Sequence, residues 1–161
     1  MSAIIRDARM EDIPEMVLLL EQLFTIETDF TINVEKHRQG LEMMIEGSGS
    51  SRCVKVADVK GCVIGMGTAQ LMVSTAEGAW VALVEDIVVE AQWRGRGIGR
   101  KLVSVLETWA WSRGAARMQL LADRTNFSAL DFYHHIGWRP TRMICLHRKE
   151  PEGHRSMSGS G

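Results

Sequence analysis

Hydrophobic residues along the chain follow two periods. Stretches with apolar positions three and four residues apart predict helices, and they are interleaved with alternating or continuously apolar stretches that predict strands. Ala3 to Arg6 reads as a short first strand. From Glu11 the apolar positions Ile13, Met16, Val17, Leu20, Leu23 and Phe24 mark one face of a helix, with Glu11 and Asp12 suited to its first turn. The pattern breaks between Thr25 and Asn33 into a loop that carries Glu27 and Asp29 beside Ile26, Phe30 and Ile32. A second helix is expected from Val34 to Ile45, ended by the flexible run Gly47 to Ser51.

From Arg52 the period changes to two. Cys53 to Asp58 and Cys62 to Val73 predict an antiparallel hairpin turned at Val59-Lys60-Gly61, with Gly65 and Gly67 as candidate bulge positions. Trp80 to Val89 carries only Glu85 and Asp86 as charges, the signature of a largely buried central strand. Alternation places Leu83, Glu85, Ile87 and Val89 on one face and Val84, Asp86 and Val88 on the other. No more than one of the two carboxylates is therefore expected to point into any given cleft. A third helix carries Ile98, Leu102, Val105, Leu106 and the core candidate Trp109, with Gly114 where a C-cap belongs. Arg117 to Ala122 reads as a fifth strand, and Asn126 opens a fourth helix whose stripe is Ala129, Leu130, Phe132, Tyr133 and Ile136, ending at Gly137. A last pair of strands is expected around Trp138 to Thr141 and Met143 to Arg148.

The densest chemistry lies between the central strand and the third helix, in Arg94-Gly95-Arg96-Gly97-Ile98-Gly99 and the following Arg100. Three glycines let the backbone approach a ligand closely, and a helix opening there presents unpaired N–H groups and a positive dipole end, so the stretch reads as a pyrophosphate cradle. A glycine-rich strand-to-helix turn without ligand is the plain alternative. Composition adds limits. The 161 residues suffice for one domain over 1–149, with a polar, Gly/Ser-rich tail over 150–161 expected to be flexible. A formal charge of −1 gives no footprint for nucleic acid or an anionic membrane, and no apolar run reaches the roughly eighteen residues of a membrane span. Cys53, Cys62 and Cys145 form no CxxC pair, and the start Met-Ser-Ala-Ile-Ile-Arg has no signal-peptide or transit character, so a reduced, cytoplasmic setting is expected. His134-His135 is a poor metal pair because adjacent helical residues point apart, and no metal site is expected.

The run Val89 to Gly99 resembles the acetyl-CoA motif R/Q-x-x-G-x-G/A of the GNAT superfamily of N-acetyltransferases, through Arg94, Gly97 and Gly99. The shifted register Gln92, Gly95, Gly97 also fits, but the first places the last glycine just inside the helix. Asn126, Ala129, Phe132, Tyr133, Gly137 and Trp138 resemble the second block of the family, with Trp138 departing from the usual Phe. The resemblance covers about residues 3 to 148. It implies an α/β (α+β) fold with a central mixed, mostly antiparallel sheet of six to seven strands flanked by about four helices.

What the resemblance further implies can be placed residue by residue. Acetyl-CoA would be the co-substrate, its pyrophosphate held by the main chain of Arg94, Gly95, Arg96, Gly97, Ile98, Gly99 and Arg100. Its pantetheine arm would pair with the backbone of Ile87, Val88 and Val89. Asn126 would touch the cofactor arm, although alone it reads equally well as a helix N-cap. Tyr133, the only tyrosine in the chain, matches the general acid of the family. Val84-Glu85-Asp86 is similar to the Leu-Glu-Asp run of diamine and small-amine acetyltransferases, in which the Glu works on the amine, often through water. Glu85 is the preferred base, with Asp86 and ordered water as alternatives.

Other classes fit less well. A dinucleotide fingerprint would need glycine where Arg100 stands and an acid where Ala115-Ala116-Arg117 stand. No G-x-x-x-x-G-K-[S/T] is present. A non-catalytic acyl-CoA sensor of the same fold is the serious alternative to an enzyme. The resemblance implies an amine acceptor, either a small molecule or a peptide, and a homodimer is a family-level expectation.

Overall fold

The computed structural model describes residues 1–153. Its elements are β1 (Ile4–Asp7), α1 (Ile13–Ile26), α2 (Val34–Glu46), β2 (Arg52–Val59), β3 (Cys62–Ser74), β4 (Ala79–Val89), α3 (Ile98–Ser112), β5 (Ala115–Leu120) and α4 (Phe127–His135). The strands form one sheet in sequence order, antiparallel from β1 to β4 and parallel between β4 and β5. The parallel step is made by α3, the helical crossover that such a connection requires.

Local chemistry accounts for most boundaries. Lys60 and Gly61 both adopt positive φ, at 53° and 87°, between the paired residues Val59 and Cys62, which is the two-residue hairpin turn whose twist suits flanking strands. Asn33 caps α2 by accepting a hydrogen bond from the Lys36 N–H through its side chain at 3.0 Å. Gly114, at φ 85°, follows the end of α3.

Two apolar layers cover the sheet. Ile13, Met16, Val17, Leu19 and Leu20 of α1 and Leu41 of α2 pack on Val54, Val56, Val63, Met66 and Val88. On the opposite face Ile98 and Leu102 of α3 pack on Ala57, Val59 and Ile64, while Leu106 packs on Cys53, Ala69 and Val84. Trp109 belongs to this second layer, as expected from its place on the helical stripe.

Two expectations need correction. Residues 138–149 form no strand, so the sheet has five strands rather than six or seven. Met143, Ile144 and Leu146 are 85%, 61% and 83% exposed. A strand is a pairing, and β-forming composition alone cannot create one where no sheet edge is engaged. The segment instead passes the loop after α1, where the His147 ring lies 5.8 Å from that of Phe30. The expected flexible tail over 150–161 falls mostly on residues outside those described. The second correction concerns β4. Thr68 pairs with Glu85 and Met66 with Val88, so Asp86 and Ile87 together face the single residue Gly67. This β-bulge resets the alternation: Val84, Ile87 and Val89 pack toward α3, whereas Val88 packs toward α1.

The first strand is tied to the start of α1 by a charge network. The Arg6 guanidinium donates to both Asp12 carboxylate oxygens at 2.8 and 2.9 Å, and its Nε donates to Asp58 at 2.9 Å. Asp12 is buried and also accepts the Arg9 N–H at 2.7 Å. The hydrogen bonds from Arg6 hold its carboxyl below the ordinary aspartate range. A lowered folded pKa contributes stability above the unfolded value and loses it as pH falls through the folded value. Asp12→Ala is therefore expected to cost about 3 kcal/mol at pH 7. The gap to wild type should narrow below about pH 4, as measured by urea unfolding at a series of pH values.

Candidate active site

The glycine-rich stretch occupies the entrance to α3. Gly95 and Gly97 adopt φ of 75° and 79°, a left-handed backbone open to glycine at little cost, and Gly97 is the N-cap of the helix. A Cβ at either position would meet no atom within 4 Å, so the space beside them is open. Gly99 lies inside the first turn, as the preferred register of the motif expects, and a Cβ there would touch the Phe132 ring at 3.4 Å. The main-chain N–H groups of Gly97, Ile98, Gly99 and Arg100 have no acceptor among the described residues. Four free donors on the positive end of a fifteen-residue helix form a ready anion site.

The three arginines around it differ in role. Arg94 folds back, its Nε donating to the Val89 carbonyl at 2.9 Å. Arg96 stacks over the Trp93 ring, 4.7 Å from its centroid. Arg100 is exposed on the first turn of α3. Ile98 points the other way, into the core, and is 5% exposed. A cleft of about 460 Å³ opens beside Arg94, lined by Gln22, Thr25, Glu90, Ala91 and Gln92 as well.

β4 and β5 pair only as far as Val84 and Leu120. Beyond that point β4 continues to Val89, paired with β3 on one side and free on the side where β5 has ended. Ile87, Val88 and Val89 thus offer a run of main-chain groups at an interior sheet edge, a place that an extended ligand can occupy as an added strand. Their side chains pack in the two apolar layers.

Both carboxylates of β4 reach one cavity of about 220 Å³ between the sheet and α1 and α2, against the expectation that alternation would separate them. The bulge is the reason, because it sets Asp86 at φ 55° and returns the next residues to the sheet with inverted faces. Thr68 and Gln70 line the same cavity, with Leu20, Phe24, Leu41 and Met44 as apolar wall and Lys36 and His37 from α2. The Phe24 ring lies 4.9 Å from that of His37. Burial raises the Glu85 carboxyl above its usual range. Burial, then the charges of Glu85 and Glu27, push Asp86 up to about 7. Glu27 itself is raised by burial and by Asp123, Glu85 and Asp29, so the end of α1 stands in the field of Glu85.

Tyr133 sits on α4 between Phe132 and Trp138, with ring centroids 5.1 and 6.0 Å away. Its hydroxyl has no hydrogen-bond partner among the described residues, and burial with the charge of Glu27 pushes the phenol up to about 12. It is therefore a protonated group at neutral pH. The Asn126 side chain caps α4, accepting the Ala129 N–H at 3.1 Å. Spacing alone could not find Phe24, His37, Thr68 and Gln70 as cavity walls, because they come from α1, α2 and β3 and only the tertiary packing brings them to the β4 carboxylates.

The chain is 33% identical over 101 residues to the thialysine N-epsilon-acetyltransferase of Sus scrofa, a match covering 61% of this chain and 59% of that protein. It is 34% identical over 76 residues to the Bos taurus protein of the same name, covering 47% and 44%. The chain thus spans about half the length of these relatives. Among solved structures, the glucosamine-6-phosphate N-acetyltransferase of Arabidopsis thaliana superposes with a TM-score of 0.74 at 20% identity, over 93% of this chain and 100% of that one. An aminoglycoside N-acetyltransferase in complex with CoA gives 0.77 at 19% identity, over 92% and 95%. At these identities the structural likeness speaks for the fold. The model of the acetyltransferase (GNAT) family matches residues 19–138, which include the glycine loop, both β4 carboxylates and Tyr133, and the chain belongs to that family.

Proposed function

We propose that the protein transfers an acetyl group from acetyl-CoA to the nitrogen of a primary amine, by direct attack while both substrates are bound. The observation that carries this reading is the juxtaposition of the unpaired β4 edge with the glycine-lined start of α3. One takes an extended amide-bearing arm and the other a diphosphate, in the order in which CoA carries them. The free N–H groups of Gly97 to Arg100 would hold the diphosphate, with Gly95 allowing close approach and Arg94, Arg96 and Arg100 adding charge. The main chain of Ile87, Val88 and Val89 would pair with the arm, and Asn126 would border it. Relatives named as N-acetyltransferases of thialysine, and neighbours named for aminoglycosides and glucosamine-6-phosphate, support a small-molecule amine as acceptor.

Bound acetyl-CoA supplies a thioester carbonyl and a thiolate leaving group. Glu85 acts as the base that draws a proton from the amine through water, on the wall of the 220 Å³ cavity. A main-chain N–H near Val89 polarises the carbonyl. Tyr133 donates its proton to the departing sulfur, a role suited to a phenol that stays protonated at neutral pH. Release of free thiol from acetyl-CoA across a panel of alkylamines, amino acids, aminoglycosides and peptides tests the activity; CoA binding without thiol release from any amine would leave only a sensor.

Gly97→Val is expected to abolish CoA binding, measured by calorimetry, while the circular dichroism of the domain is retained. The new side chain fills the open space beside the N-cap and strains a left-handed residue by about 1–2 kcal/mol. Arg94→Ala should weaken binding less. Glu85→Gln should lower turnover by roughly 10²-fold or more near neutral pH and less at high pH, where free amine is abundant; an unchanged pH profile would remove Glu85 from the chemistry. Tyr133→Phe keeps the ring contacts and should cost no more than about 1.5 kcal/mol of stability. Its kcat should fall by roughly 10²- to 10⁴-fold at nearly unchanged acetyl-CoA affinity. Wild-type turnover by Tyr133→Phe, with chemistry rate-limiting, would make Tyr133 a packing residue.

A further inference from the structure

Opposite charges line the cavity of Glu85 and Asp86 without meeting one another. Lys36 reaches it from the first turn of α2, yet no ion pair joins Lys36 to either carboxylate, or to any other acid among the described residues. Arg38, the next cation along α2, is committed elsewhere, its guanidinium held between Glu35 and Glu42. The exposed ammonium of Lys36 is thus the charge that α2 leaves for a ligand. Its surroundings suit an anion. His37 accepts the Asn33 N–H on Nε2 at 3.0 Å, which leaves Nδ1 as the N–H donor of the ring. Both residues stand near the positive end of a thirteen-residue helix. Gly40, one turn beyond Lys36 on the same face, also lines the cavity, and a Cβ there would meet no atom within 4 Å. A glycine inside a helix costs stability relative to alanine, and here it leaves the wall beside Lys36 open.

Charges of opposite sign that share a small space and leave each other unpaired form a template for a ligand that carries both signs. Resting on the acetyl transfer proposed above, we infer that the acceptor is an amino acid, its amino group facing the β4 carboxylates and its carboxylate held by Lys36 with the His37 N–H. The apolar Leu20, Phe24 and Met44 on the remaining wall take the carbon skeleton. Other amines fit these walls less well. A polyamine would bring a second ammonium toward Lys36, like charge against like. An aminoglycoside exceeds the space. The cavity of about 220 Å³ has the volume of about seven waters at roughly 30 Å³ each. That is below the roughly 300–1,000 Å³ of sites that enclose a drug-sized ligand. The carboxylate end of the acceptor is remote from the reacting nitrogen, so Lys36 is a specificity residue whose contact is the same before and during the chemistry. Such a contact acts on KM and leaves kcat alone.

The test compares amino acids with the same amines lacking the carboxylate: glycine with methylamine, β-alanine with ethylamine, γ-aminobutyrate with propylamine and L-lysine with cadaverine. Steady-state thiol release from acetyl-CoA gives KM and kcat for each, referred to the fraction present as free amine. At least one amino acid should show a KM about 10-fold or more below that of its partner, the worth of one hydrogen bond to a charged group. Lys36→Met keeps the length of the side chain and removes its charge. It should raise that KM to the value of the plain amine, leave kcat within about twofold, and change neither the KM of the plain amine nor CoA affinity. Lys36→Glu should reverse the lysine pair and make cadaverine the better acceptor, which loss of a merely structural contact would not do. Equal KM within every pair in wild type, or an undiminished preference in a Lys36→Met protein that melts with wild type, would overturn the inference. Thiol release confined to the amines without a carboxylate would overturn it too, while the acetyl transfer stands. Absence of release by wild type with any amine would overturn the acetyl transfer and this inference with it.

Discussion

Two residues of β4, Asp86 and Ile87, stand opposite the single Gly67 of β3, and the geometry of the site follows from that mismatch. A bulge increases local twist and bends the strand that carries it. Here it falls just past the last paired residues of β4 and β5, Val84 and Leu120, so the distorted segment and the unpaired edge of β4 coincide. Glycine at position 67 is favoured by packing rather than by dihedral angle. A Cβ there would stand 2.5 Å from Ile87 Cδ1 and 3.1 Å from Leu106 Cδ1, in the space that the displaced Ile87 needs to pack under α3.

The same bend governs the electrostatics. A regular strand would have sent Glu85 and Asp86 to opposite faces, one under α3 and one under α1, with no reason to perturb each other strongly. With both beside one cavity, and Glu27 near them, burial together with the charges of Glu85 and Glu27 raises the proton affinity of Asp86, and Glu85 adds to that of Glu27. Tyr133 feels Glu27 as well, so the loop after α1 links the carboxylates of β4 to the phenol of α4.

Local sequence made much of this visible. Periodicity located all four helices and five strands, because their apolar positions recur at the spacing of the element, and Gly97 and Gly99 stand at the helix start where the motif places them. Two features escaped it for the same physical reason: they depend on neighbours distant in the chain. Met143 to Arg148 has the composition of a strand but engages no sheet edge, and Asp86 faces the cavity of Glu85 because of where β3 places Gly67. The glycines were noticed as candidate bulge positions, yet nothing in the β4 sequence itself tells which of its residues yields to the mismatch.

The parallel pairing of β4 with β5 bears on how tightly a ligand could be held. Residues 90–97 are not a free loop. They leave β4 through the Glu90 N–H bond to the Ile64 carbonyl at 2.8 Å and the Arg94 side chain on Val89, and they end in a helix whose far end returns as the neighbouring strand. The donors at the start of α3 are therefore held from both ends by the sheet, in the protein without ligand. Their ordering belongs to the free energy of folding, so an incoming anion meets a preorganised surface and loses little of its binding energy to immobilising the chain.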